Sequence, residues 1–525
     1  MRLLAEIDEQ TADAPAVDFE GALVTYDILR SRAAALAAEI RRRGEDGGGR
    51  VALHLPHGAW EPSALLAVWA AGAVAVPLDL HWPVERIREI LSRCDAGMLV
   101  ATGQRGVSLA SALGEPWSER TLLIDAPVGW SGPRCEALPD DDRPLAASGA
   151  RADDVASILF TSGSTGSPKG VTLTRENVDV FAVHWAEELG LARGDRVAHA
   201  SDLAFDLSLL EIGATLAGGG TVVPVPEAQL GFPAELASWV IRREVSVWYS
   251  VPSLLVGMVR EGLAETEPGH RLRVLLYAGE RMGGFEALMV RQAFPRARFL
   301  NLFGPTETNV SCAHEIPANF DGGEVPIGLP CPYVDLRLVD DSDREADEGE
   351  IVVAGRTVMA GYWAESRREQ WLEIEEQPYL RTGDRARRGP GGVLRFLGRL
   401  DRMVKVSGYR IEPEEVEAAL LAVGGVGDAA VVAVNDARER AVLAAVVSPT
   451  VGRPFDVEGT GRALSRHLPA YAVPRLFVTT AEMPRTSRGK VDAARVRLLA
   501  QGELDRLAEA AAGGPSALTD PENER

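Results

Sequence analysis

The sequence predicts a layered α/β fold. It places parallel sheets in a large N-terminal domain of several subdomains, a β-rich subdomain within it, and a small α+β domain at the C-terminal end. Three observations carry this. Helix-periodic stretches alternate with short apolar runs through about residue 304, the pattern of strands joined by helical crossovers. Gly, Val and turn residues take over from about 321 to 400, in "EVPIGLPCPYVDLRLVD", "EGEIVVAG" and "GGVLRFLGRLD". Beyond them lies a shorter mixed stretch, 401–505. The expected domains are therefore 1–400 and 401–505, with a disordered tail at 506–525 that is small, polar and acidic.

In chain order, residues 28–43 ("ILRSRAAALAAEIRRR") carry apolar residues at helical spacing and end in a basic turn, which suits a helix C-terminus. "RVALHLP" follows as a strand, then "EPSALLAVWAAG" as a helix stopped by Gly72, then "VAVPLDL" as a buried strand. The same alternation recurs in "RIREILSRCDAG" to "MLVATG", "ELASWVIRREV" to "VWYSVP" and "FEALMVRQAFP" to "RFLNLFG".

At 525 residues the chain exceeds one ordinary core. A net charge of −21 with no basic tract argues against nucleic acid and anionic membrane surfaces as partners. Cys94, Cys135, Cys312 and Cys331 are scattered, with no CxxC pair or His/Cys cluster to suggest zinc or redox work. Unpaired thiols, a first segment ("MRLLAEIDEQ") unlike a signal peptide and no apolar run long enough for a bilayer lead us to expect a cytoplasmic protein.

The run "LFTSGSTGSPKGVTLT" (159–174) sets Gly163, Gly166, several hydroxyl side chains and Lys169 after the apolar stretch "VASILF". Glycines let backbone N–H groups approach an anion, and Ser and Thr add donors, so the loop reads as a phosphate cradle. It is not a Walker loop, because Pro168 precedes Lys169 and Gly170 follows it. Taken alone, the same residues also suit a polar surface turn.

Ten motifs in order then resemble the adenylate-forming enzymes, the family of acyl- and aryl-CoA synthetases, luciferases and adenylation domains of nonribosomal peptide synthetases. They are "VTYDIL", "WAAGAVAVPLD", the glycine-rich loop, "LAFDLSLLE", "NLFGPTETN", "GEIVVAG…MAGYW", "YLRTGD", "GRLDRMVKVSGYRIEPEEVE", "LPAYAVPRLF" and "MPRTSRGKVD". The resemblance implies ATP and Mg²⁺ as cofactors and joining of a carboxylate to the α-phosphate with release of pyrophosphate. Two anions must meet, which calls for donors, a divalent cation and lysine. By the same resemblance, Thr161, Ser162, Gly163, Ser164, Thr165, Gly166 and Lys169 hold the β- and γ-phosphates. Asn301, Phe303 and Gly304 border the nucleotide, with Phe303 stacked on adenine. Thr306 contacts the α-phosphate and Glu307 holds the metal. Asp384 accepts from the ribose hydroxyls, Arg399 sits near the nucleotide, Asp401 is the hinge of a mobile C-terminal domain, and Lys490 is the catalytic lysine. Read singly, each has a plain alternative: core packing for Phe303, a surface charge for Glu307, a turn for Asp384, a surface ion pair for Arg399 and Asp401, an exposed cation for Lys490.

In the amino-acid-activating members of the family, an Asp at the position of Asp206 pairs with the substrate's α-amino group. A buried carboxylate is costly without a cation, so this Asp implies an ammonium-bearing substrate. A helix N-cap is its alternative. The family's pocket positions fall on Asp206, Leu207, Leu210, Tyr249, Leu276, Ala278, Leu302, Val310, Ser311 and Lys490. Six of these are aliphatic, which disfavours charged substrates. Bulk leaves proline, valine, leucine and isoleucine. The string resembles that of stand-alone prolyl adenylation enzymes that prime pyrrole-2-carboxyl formation, which commonly carry Cys where Ser311 stands; hydroxy- and methylproline stay open. "AGGPSAL" has only nine residues after Ser516, too few for a carrier bundle. The expected acceptor is the phosphopantetheine arm of a separate peptidyl carrier protein, with coenzyme A as the competitor and Gly408 helping to admit the arm.

Overall fold

The computed structural model describes residues 1–44, 49–125, 134–135, 144–163, 167–365, 370–406, 408–436, 441–450, 455–486 and 491–512. The chain divides into two compact units, Met1–Thr161 with Pro168–Asp401, and Ser162–Ser167 with Arg402–Arg525.

The first unit holds two large sheets and one smaller one. The helix expected at 28–43 runs Tyr26–Arg43, where the Thr25 side chain accepts from Ile28 N and three arginines fill the last turn. Helix Glu61–Ala70 is buried on every side, as its apolar run Ala64–Ala70 requires, and Gly72 leaves it at φ +81°. It leads into the fully buried strand Val74–Pro77. That strand lies in an eight-stranded sheet whose centre is parallel and whose edge is antiparallel. The antiparallel part is a departure from the expected parallel sheet. Strands Val155–Thr161 and Lys169–Thr174 form a hairpin around the glycine-rich loop, closed by the pairing of Thr161 with Lys169. A glycine-rich loop between two antiparallel strands differs from a Walker loop, which opens a helix.

The nine-stranded sheet carries the parallel strands Arg196–His199, Val247–Ser250, Val274–Tyr277 and Arg298–Phe303 side by side. Their carboxyl ends face one edge, the usual position of a ligand crevice in open α/β sheets. The β-rich segment forms a five-stranded antiparallel sheet that includes Glu348–Gly355, Gln377–Arg388 and Leu394–Arg399.

In the second unit, a two-stranded hairpin (Val404–Val406, Tyr409–Ile411) precedes helix Pro413–Leu421. Gly408, at φ +82°, makes the turn. A three-stranded sheet of Val426–Asn435, Ala441–Pro449 and Leu476–Thr479 follows. The final helix runs Ala493–Ala512. This corrects the disorder expected from 506: residues 506–512 continue the helix, whose Ala, Leu, Glu and Arg content favours it. Residues 513–525 lie outside the described residues.

Candidate active site

Strand Arg298–Phe303 delivers its last side chains to the carboxyl edge of the large sheet. Asn301 is buried and donates to Pro326 O at 2.8 Å. Phe303 is half-buried and faces Phe396, their ring centres 5.7 Å apart. The chain then turns sharply. A Cβ on Gly304 would lie 1.7 Å from Asn309 O, so only glycine fits. Thr306 is half-buried on this turn. Glu307 is 4% exposed, and Oε1 accepts a hydrogen bond of 2.6 Å from Tyr362 OH. Lys169 Nζ stands 5.3 Å from the centre of the same Tyr362 ring. One tyrosine therefore joins the lysine of the glycine-rich loop to the carboxylate of the "GPTE" turn. Pairing of Tyr362 with Val171 in the edge of the eight-stranded sheet holds it there. A buried carboxylate of this kind suits Mg²⁺, which takes one or two protein carboxylates and completes its shell with phosphate and water.

At the base of the loop, Thr161 Oγ1 is buried with no hydrogen-bond partner among the described residues. Ser162 and Gly163 are buried. Ser162 groups with the second unit, where its hydroxyl donates to Arg410 O (2.9 Å) and accepts from Glu412 N (3.2 Å). Ser164, Thr165, Gly166 and Lys490 lie outside the described residues.

Asp384 is 6% exposed and pairs in register with Arg399 across two antiparallel strands. Arg399 Nη1 donates to Asp384 Oδ1 at 2.7 Å, and the same guanidinium grips both oxygens of Asp401 at 2.6 Å. The ion pair weighed as the plain alternative is thus present, and it reaches the buried Asp384 as well.

Most of the expected pocket positions lie in the core of the first unit. Leu210, Tyr249, Leu276, Ala278, Leu302 and Val310 belong to one continuous buried cluster, and Leu207 packs against it. Tyr249 and Leu276 are direct neighbours on adjacent strands. Leu210 sits in a wide helical turn of the π type, Leu209–Ala214, an irregularity common at functional sites. Asp206 is half-buried just before it. Burial first, then the negative charges of Asp206 and Glu211, push the Tyr249 phenol well above its ordinary range, so the carboxylate of Asp206 acts on an apolar wall. Ser311 is buried with its hydroxyl 2.7 Å from that of Thr308.

The matching family profiles are "AMP-binding enzyme" over residues 4–363 and "AMP-binding enzyme C-terminal domain" over 415–490. The chain belongs to the AMP-binding enzyme family. An L-proline--[L-prolyl-carrier protein] ligase of Pseudomonas fluorescens is 36% identical over 94% of this chain and 96% of that one. A ligase of the same name from Streptomyces coelicolor is 32% identical over 95% and 96%. The Vibrio cholerae adenylation domain AlmE, solved in complex with glycyl-adenosine-5'-phosphate, matches with a TM-score of 0.83 at 22% identity over 97% of each chain, a likeness of fold. As an AMP-binding enzyme of the adenylate-forming kind, the protein works on ATP.

Two features of this AMP-binding enzyme escaped sequence reasoning. Tyr362 stands in "MAGYW", and only its sheet partner reveals what it touches. The other is a buried group of His57, Glu61 and His199. No short-range spacing announces it, since His199 and Glu61 are 138 positions apart. Among the described residues no helix is long and apolar enough to cross a membrane.

Proposed function

We propose that the protein activates L-proline with ATP and transfers the prolyl group to the phosphopantetheine thiol of a peptidyl carrier protein. In the first step a proline carboxylate oxygen attacks the α-phosphorus, the bond to the bridging oxygen breaks, and pyrophosphate leaves. In the second the thiol sulfur attacks the acyl carbon, AMP leaves with the carboxyl oxygen, and the thiol proton passes to solvent.

The observation that carries this reading is the half-buried Asp206 among candidate pocket positions that are aliphatic apart from Ser311, Lys490 and the Tyr249 phenol, whose pKa its charge helps to raise. A cationic amine with a compact apolar body satisfies both halves of such a pocket. The names of the two ligases, matched over nearly their whole length, support proline and a carrier. In this reading Glu307 holds Mg²⁺, which when bound offsets phosphate charge. The Thr161–Lys169 loop grips the pyrophosphate end, Phe303 packs on adenine, Asp384 takes the ribose and Lys490 neutralises the reacting anions. The Ser311 hydroxyl is already bonded to Thr308, so it adds no unpaired donor to the wall. We assign the reaction to the cytoplasm, where ATP and reduced thiols are available.

Exchange of labelled pyrophosphate into ATP, run over a panel of amino acids, tests the reading. L-Proline should give the strongest exchange, and label should then move to a carrier bearing phosphopantetheine. Strong exchange with valine or leucine and none with proline would refute it. Lys490→Ala should remove most exchange while nucleotide binding persists.

A further inference from the structure

His199 ends strand Arg196–His199 in complete burial, with 0% of its surface exposed. Its Nδ1 lies 2.7 Å from Glu211 Oε2, and its Nε2 lies 3.0 Å from Glu61 Oε2. Both carboxylates are as deeply buried, at 0% and 1% exposure. A neutral imidazole has one N–H, whereas two carboxylate oxygens at these distances call for two. Glu211 is already an acceptor elsewhere: Ser201 N donates to Oε2 (3.1 Å) and Ser201 Oγ to Oε1 (3.0 Å). One ring nitrogen and two groups of Ser201 therefore converge on the Glu211 carboxylate.

The connectivity gives this arrangement a purpose. Glu211 directly follows Leu210 and reaches back to Ser201, so it closes residues 201–211 into a loop. Asp206, Leu207 and Leu210 all lie on that loop. His199 then ties Glu211 to Glu61, at the start of the buried helix Glu61–Ala70. We propose that His199, as an imidazolium bridging Glu61 and Glu211, is a positioning residue for the amino-acid pocket and holds the loop that presents Asp206.

Other charged and titratable groups face the bridge. The His57 ring lies tilted beside that of His199, ring centres 4.7 Å apart, and its own nitrogens face Val225 O (2.8 Å) and Ser201 O (3.2 Å). Asp202 lies on the same loop, its carboxyl pushed well up by burial and by the charge of Asp79, with Glu61 adding to it. His199 is the ring placed between the two carboxylates, so a proton on it compensates their charge. Burial alone would lower its pKa. The charge of Glu61 and the hydrogen bonds to Glu211 and Glu61 outweigh that and raise it to about 10. The ring and carboxylate atoms of His57, Glu61 and His199 are also close enough to share a metal ion, which makes metal content an outcome of the test.

The role rests on the reading of Asp206 as amine anchor, so the test has two arms. In the first, full-length protein labelled with ¹⁵N-histidine is titrated from about pH 6 to 9, and His199 signals are assigned by their loss in His199→Gln. Both nitrogens should stay at imidazolium shifts throughout. A neutral ring at pH 7, or one equivalent of a divalent metal that co-purifies and disappears in His57→Ala, would overturn the proposal. The second arm measures pyrophosphate exchange with L-proline. His199→Gln and His199→Leu should raise the KM for proline about tenfold while the KM for ATP stays within about twofold. Equal changes in both constants, or none, would also overturn it. Should His199→Leu not fold, the Gln variant and the titration still decide. If the wild-type protein shows no exchange with any amino acid, the functional reading fails, and the titration still reports the charge of His199.

Discussion

Tyr362 donates its phenolic hydrogen to Glu307 Oε1 across 2.6 Å. Its ring also lies 5.3 Å from Lys169 Nζ, so the groups proposed to handle the metal and the pyrophosphate share one support. The hydrogen bond to a carboxylate is of the stronger, charge-assisted kind, and it fixes the orientation of that carboxylate.

Tyr362→Phe keeps the ring under Lys169 and removes only the hydroxyl. We expect adenylation to need about tenfold more Mg²⁺, as a hydrogen bond of about 1.5 kcal/mol implies. A magnesium titration of pyrophosphate exchange reads this directly. An unchanged midpoint would detach Tyr362 from the metal.

Asp206→Asn preserves shape and removes charge. Proline-dependent exchange should fall about a hundredfold or more, because a buried ammonium loses its counter-ion. Nucleotide binding, followed by calorimetry, should be unaffected. Full activity in this variant would shift amine recognition to another group.

Gly304→Ala drives a methyl group into Asn309 O, a backbone atom that cannot swing aside. A loss of about 3 kcal/mol in urea unfolding is expected, together with weaker ATP binding. Ser311→Cys should be mild by contrast, since it exchanges one small buried side chain for another.

Asp401→Pro tests the proposal that Asp401 is a hinge. Asp401 closes the first unit and receives both arms of Arg399. With φ locked by the ring, one half-reaction should survive and the other should stop. Retention of both adenylation and thiolation at full rate would move the hinge elsewhere.

The His199 bridge also predicts a pH dependence of stability. Its pKa is raised above the unfolded value of about 6.5. The stabilisation is therefore fully present below that pH and is lost as pH rises through about 10. Between pH 7 and 10 the melting temperature of the wild-type protein should decline more steeply than that of His199→Gln. Parallel curves would show that the bridge carries no proton.

Local pattern was enough to place most elements. The apolar spacing of Tyr26–Arg43 and the unbroken apolar run of Ala64–Ala70 each translate directly into burial. Tyr249, Leu276 and Leu302, taken from motif order, end or nearly end successive parallel strands. Contacts made by pairing between distant segments were not legible. Tyr362 owes its place to Val171, and His199 owes its charge to Glu61, and neither partner is marked by spacing. The hairpin at Lys169 was hidden for a related reason, since a short strand does not declare the direction of its neighbour.

The tie between Glu61 and the 199–211 region constrains how such enzymes can be recombined. A chimera that imports residues 199–211 from a relative to change substrate inherits one half of a buried charge balance, while residues 57–61 of the host keep the other. If the donor segment lacks a cation at position 199, two carboxylates are left facing each other in the interior. Segment grafts should therefore succeed when positions 57–61 travel with the graft and fold poorly when they do not, however well the pocket residues themselves are chosen.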